Sequence, residues 1–183
     1  EYNIEGFPLD RFINMVIQVK PDQVTLVPDK PNVITSNNGW NTVKNRQFLS
    51  DIISEFKSNN IRTSIFVNPE IDMIEGAKLC GADRIELYTE SYANLYERDK
   101  NLAIHPFKEA AEMAFSLEIG VNAGHDLNLN NLHFFNAEIK NLLEVSIGHA
   151  IISDAIYFGL ENTIQLYKRQ LWIFSLGYME KEV

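Results

Sequence analysis

The groups in this chain best suited to moving protons and holding an anion are two carboxylates, one imidazole and a pair of Gly-His turns. The stretch Glu118-Ile119-Gly120-Val121-Asn122-Ala123-Gly124-His125-Asp126-Leu127 reads as a short apolar strand that enters a small-residue turn and delivers His125 at its end. The pattern returns in Val145-Ser146-Ile147-Gly148-His149-Ala150. Glu5 closes another strand just before Gly6. An imidazole that titrates near neutrality and a carboxylate on the same rim make an acid–base pair. Gly148-His149 leads straight into Ile151-Ile152, a helix start whose N–H groups would cradle a phosphate.

Each of these residues has a second reading. Glu5 would also serve to cap the following helix through its macrodipole. In Arg84-Ile85-Glu86-Leu87-Tyr88, alternation turns Ile85 and Leu87 toward helices and Arg84, Glu86 and Tyr88 inward. An interior Glu86 beside Arg84 is either a structural ion pair or part of a site. His105 and His133 read as surface or hydrogen-bonded histidines. Cys80, before Gly81 at a helix end, reads as a buried structural thiol. No metal is expected, because His125 and His149 lack an acidic or histidine partner at ligand spacing. No Gly-rich nucleotide motif occurs.

The elements that must position these groups alternate between strand and helix. Strands are expected at residues 2–5, 24–27, 63–67, 84–88, 119–124 and 143–147. Between them run apolar stripes at helical spacing, such as Leu9, Phe12, Ile13, Val16 and Ile17, or Leu49, Ile52, Ile53 and Phe56. Pro106 is expected to open the helix that carries Phe107 and Phe115 after an irregular segment, and further helices to run from about Ile151 to Leu176. The long polar loop from Pro28 to Asn45 has the length of a lid or binding loop. Connections of crossover length imply a parallel sheet, and residues 1–183 read as one domain. The fold expected is an α/β, (β/α)8 TIM barrel whose phosphate-handling groups lie at the strands' C-terminal rim. With only six strands in the chain, the first two β/α units, roughly sixty to seventy residues, are expected to be absent.

Composition narrows the function. Of 183 residues, 45% are hydrophobic and 22% charged, a balance that supports a sizeable core. The net charge of −9, with no basic stripe, argues against nucleic acid. No apolar run approaches the ~20 residues of a membrane span. The single cysteine leaves no internal disulfide and fits a reducing, cytoplasmic setting.

The chain resembles the pyridoxine 5′-phosphate synthase family of vitamin B6 biosynthesis. The resemblance rests on Asn3-Ile4-Glu5, Lys20-Pro21, Leu26-Val27-Pro28-Asp29-Lys30, Val121-Asn122-Ala123-Gly124-His125 and Ile147-Gly148-His149-Ala150-Ile151-Ile152, in order along nearly the whole chain. It implies a homo-oligomeric (β/α)8 barrel, an octamer in the family, with no cofactor or metal. The implied reaction condenses 1-deoxy-D-xylulose 5-phosphate with 3-amino-2-oxopropyl phosphate and releases phosphate and water. By this resemblance Glu5 is the general base, His125 the general acid and Glu86 the charge-stabilising carboxylate. Thr35, the backbone around Asp126, and Gly148-His149 are substrate and phosphate contacts. Two departures stand out. A further family histidine belongs to strands absent here, and Asp126 stands where many members have glycine. The competing readings are a phosphosugar isomerase or lyase on a similar barrel, and a non-catalytic binding fragment.

Overall fold

In the computed structural model, residues 1–29 and 38–176 are described. The elements are β1 (Asn3–Gly6), α1 (Asp10–Val19), β2 (Gln23–Leu26), α2 (Arg46–Ser58), β3 (Arg62–Val67), α3 (Ile71–Leu79) and β4 (Arg84–Tyr88). There follow α4 (Glu90–Tyr96), α5 (Lys100–Ser116), β5 (Gly120–Gly124), α6 (Leu132–Glu138), β6 (Leu142–Ser146), α7 (His149–Phe158) and α8 (Leu160–Leu176). The six strands form one sheet in the order β1-β2-β3-β4-β5-β6, and every neighbouring pair is parallel.

Strand alternation divides the molecule into two layers. Val24, Leu26, Ile65, Val67, Ile85, Leu87, Val121 and Ala123 point outward and are buried beneath the helices, packing with Val16, Leu49, Ile53, Phe56, Ile74 and Phe107. The other face carries Gln23, Thr25, Ser64, Glu86 and Asn122, all buried polar groups. That face is concave. Five intervals of ~4.8 Å would hold the edges of a flat six-stranded sheet ~24 Å apart. Instead, Gln23 Nε2 of β2 donates to Glu144 of β6 at 3.4 Å, and Glu5 of β1 is hydrogen-bonded to Ser146 of β6. The sheet therefore curls into a half-barrel.

Local expectations held at several points. Lys20, before Pro21, adopts the left-handed conformation that ends α1. Gly81 follows α3 with φ +85° and donates its N–H to Lys78. Cys80 is buried, and burial raises its thiol pKa, as befits a structural residue.

Three expectations are corrected. Pro106 lies inside α5, which begins six residues earlier at Lys100. Asp99 caps that helix by accepting from the N–H groups of Asn101 and Leu102. The carbonyl that proline leaves without a helical donor belongs to Leu102, an exposed residue. The segment before α5 is the short helix α4, anchored by buried Tyr92, whose hydroxyl donates to the Asn131 carbonyl. His133 is not fully hydrogen-bonded either: its buried Nδ1 has no partner among the described residues.

Candidate active site

At the C-terminal rim of the sheet a cavity of about 400 Å³ is lined by Glu5, Val27, Phe66, Glu86, His125, Ser146, Ile147, Gly148 and His149. Glu5, Glu86, His125, Gly148 and His149 reach it from β1, β4, the end of β5 and the β6–α7 junction. Thr35 lies outside the described residues.

His125 is delivered by an unusual turn. Its φ is +100°, a conformation that disfavours any side chain. The surrounding backbone overrides that preference. His125 donates its N–H to the Ser146 carbonyl at 3.1 Å, and the Asp126 N–H donates to Thr89 Oγ1 at 3.2 Å. Thr89 in turn donates its hydroxyl to the Gly124 carbonyl at 2.8 Å, and Asn131 Nδ2 donates to the Asp126 carbonyl. Gly124 is required for a separate reason. A Cβ there would lie 2.4 Å from Glu86 Oε1 and 2.8 Å from the Ser146 carbonyl oxygen. The turn can pass only because it has no side chain at that point.

The His125 ring packs edge-on against Tyr88, 5.1 Å between centroids, and 6.3 Å from His149. Its Nδ1 is 2.7 Å from Asp126 Oδ2. An acidic partner thus stands next to His125, and its contact with Nδ1 orients the ring so that Nε2 is the nitrogen left for the cavity. Asp126 is therefore more than a backbone contact. Among the described residues no group of three His, Cys, Asp or Glu could hold a metal ion.

The two carboxylates occupy different environments. Glu86 is 2% exposed, and burial pushes its pKa well above the ordinary range, with the nearby charges of Glu5 and Glu144 adding to the effect. Ser146 and Thr25 oppose it by hydrogen bonding. Glu5 opens to solvent at the rim but is surrounded by protein, and this partial desolvation raises its pKa. Hydrogen bonds from Ser146 and Asn3 and the nearby His125 pull it back, while Glu144 pushes with the desolvation. The Ser146 hydroxyl, hydrogen-bonded to Glu86 Oε2 at 3.4 Å, sits between the two.

Arg84 does not pair with Glu86. It forms an ion pair with Glu144 at 3.0 Å and donates to Asn122 Oδ1 at 3.3 Å. Gln23 and Arg62 extend this polar floor, and Arg62 is bridged to Glu1. The local pairing of Arg84 with Glu86 in sequence gives way to a contact across the barrel interior, sixty residues on.

Gly148 precedes α7, a ten-residue helix with no side-chain cap on its first turn. The first N–H groups of that helix have no intrahelical acceptor. A Cβ at Gly148 would meet nothing within 4 Å. The glycine therefore leaves open room beside the N–H groups, and its φ of −100° suits any residue. Ser146 and Thr89 were missed from sequence. Ser146 carried a signal, since it lies two residues before Gly148 on the inward phase of β6; Thr89 carried none.

The family described as "Pyridoxal phosphate biosynthesis protein PdxJ" matches residues 1–172. A pyridoxine 5′-phosphate synthase of Flavobacterium johnsoniae is 56% identical over 171 residues, covering 93% of this chain and 72% of the relative. That of Parabacteroides distasonis is 60% identical over 168 residues, covering 92% and 71%. Among solved structures, the fold is similar to the YdjI aldolase of Escherichia coli K12, with a TM-score of 0.58 at 9% identity over 95% of this chain and 66% of that one. A MutB double mutant in complex with isomaltulose gives a TM-score of 0.63 at 10% identity over 94% and 55%. Such distant likenesses speak to architecture alone. The sequence relatives go further, and the chain belongs to the PdxJ family of pyridoxal phosphate biosynthesis proteins.

Proposed function

We propose that this chain is a pyridoxine 5′-phosphate synthase that condenses 1-deoxy-D-xylulose 5-phosphate with 3-amino-2-oxopropyl phosphate by general acid–base catalysis. The observation that carries the proposal is one cavity shared by Glu5, Glu86, His125 and the α7 N-terminus. Closing a pyridine ring from an amino ketone and a ketose phosphate requires imine formation, enamine tautomerisation, dehydration and loss of phosphate. Each step needs a proton taken at one atom and given at another.

In this reading Glu5, the more accessible carboxylate, removes the proton from carbon. His125, held by Asp126 through Nδ1, protonates the departing oxygen from Nε2. Glu86, whose burial favours the protonated form, donates a hydrogen bond to oxygen as charge develops there. The α7 N-terminus at Gly148-His149 grips a phosphate, and Thr35 belongs to a second substrate contact. Holding two phosphates fixes the reacting carbons near each other. The full (β/α)8 barrel, a single domain, a cytoplasmic location and a homo-oligomer complete the proposal. The curled sheet supports the barrel, and the exposed apolar face of α7 supports the oligomer.

The test is turnover of both substrates together, followed by product absorbance and phosphate release. Glu5→Gln and His125→Ala should each lower kcat at least ~10²-fold with circular dichroism unchanged. Near-normal turnover in both variants would overturn the assignment.

A further inference from the structure

Ser146 lies where a single hydroxyl can serve both carboxylates. It ends β6 with its side chain on the concave face, hydrogen-bonded to Glu86 Oε2 at 3.4 Å and to Glu5. A hydroxyl has one hydrogen to donate and lone pairs to accept. Flanked by two carboxyl groups, it is best matched when one is ionised and accepts its hydrogen while the other is protonated and donates to its oxygen. With both ionised, one carboxylate would lack a donor and two like charges would face each other. With both protonated, the hydroxyl would donate only to a neutral carbonyl oxygen and lose the charge-assisted hydrogen bond.

We propose that Ser146 is a positioning residue that holds Glu5 and Glu86 as a pair sharing one proton, with the proton resting on Glu86 and Glu5 kept ionised. The inference rests on the acid–base reading of the cavity. Burial assigns the proton to Glu86, the carboxyl remote from solvent. Exchange within the pair is balanced. The Glu86 hydrogen moves to Ser146 Oγ as the Ser146 hydrogen moves to Glu5, with no net change of charge or proton count.

The other groups facing the pair are consistent with this state. Glu144 on β6 adds negative charge below it, and its ion pair with Arg84 of β4 offsets part of that charge. Thr25 of β2 hydrogen-bonds Glu86 and Asn3 Nδ2 of β1 donates to Glu5 Oε1. His125 lies across the cavity, with His149 beside it. None of these bridges both carboxyl groups. Ser146 does.

The experiment is a carboxyl titration of the chain with 13C-labelled glutamate, read by NMR between pH 4 and 9, with E5Q and E86Q used to assign the two signals. In the unsubstituted chain Glu86 should stay protonated through neutrality while Glu5 ionises below it. In S146A the Glu5 signal should titrate about one pH unit higher, having lost a hydrogen bond to its charged form. S146T, which keeps the hydroxyl, should restore the original midpoint. An unmoved Glu5 midpoint in S146A, or failure of S146T to restore a shifted one, would overturn the inference. The titration does not depend on turnover, so loss of the catalytic assignment through an active E5Q variant would be seen separately. Where turnover is measured, the acidic limb of kcat/KM in S146A should rise by the same interval.

Discussion

At the residue scale the most consequential feature is a buried acid whose proton folding makes harder to remove. Glu86 has a pKa well above that of an exposed glutamate, through burial and then the charges of Glu5 and Glu144. Between the ordinary carboxylate pKa and the raised folded one, the native state binds a proton that the unfolded chain has released. Stability must therefore fall as pH rises through that window, and the contribution is fully present only below it. Glu86→Gln removes the ionisable group and keeps the shape. It should raise Tm at pH 7–8 by ~2–4 °C for each kcal/mol of penalty relieved, and the gain should vanish near pH 4. Thermal unfolding at several pH values checks this, and a gain independent of pH would mean that Glu86 is not the buried acid described. His125 depends on its neighbour for orientation. Asp126→Asn replaces the carboxylate that holds Nδ1 and should lower kcat about tenfold with KM little changed, measurable in steady-state kinetics.

At the scale of elements, strand ends and helix starts do the positioning, and much of this was legible in the sequence. Runs rich in β-branched residues such as Val24-Thr25-Leu26-Val27 marked strands, although Thr25 joins Gln23 on the polar inner face, and Gly-His after two of the strands marked the rim. The contacts that bend the turns were not legible, because they join residues distant in sequence. Nothing near Thr89 signals that it clamps the turn carrying His125 in its strained φ. Nothing near Arg84 signals that its partner is Glu144 rather than Glu86. Pro106 misled because proline is commoner at a helix start than inside one, whereas Asp99 already supplied the cap. The β6–α7 junction gives a prediction of its own. Because the space beside Gly148 is empty, Gly148→Ala should fold with Tm almost unchanged yet fill the room next to the α7 N–H groups. Inorganic phosphate should then bind about tenfold more weakly by calorimetric titration. Equal affinity would place the phosphate elsewhere.

At the scale of the whole molecule, the helices on the two flanks of the sheet differ. Helices α2, α3 and α5 bury leucine, isoleucine, phenylalanine and alanine against it, whereas α7 has no buried residue. Yet α7 is not polar. Ile156 and Tyr157 are 79% and 85% exposed, and Ile152 and Phe158 stand near them with Leu160 at the start of α8. Isolated apolar side chains on a surface are ordinary, but a contiguous group on one helix has the character of an interface. In the homo-oligomeric reading this face meets another copy, and a standard interface needs ~800 Å² from each partner. The sequence could not separate this from core packing, since Ile151 to Phe158 has the same apolar content as a buried helix. The substitution pair Ile156→Glu and Tyr157→Ser touches no buried contact of the chain itself. It should leave the far-ultraviolet spectrum intact and reduce the assembly to a smaller species by light scattering after size-exclusion chromatography. If α7 instead packs only within its own chain, the double variant will keep the mass of the parent protein and lose thermal stability.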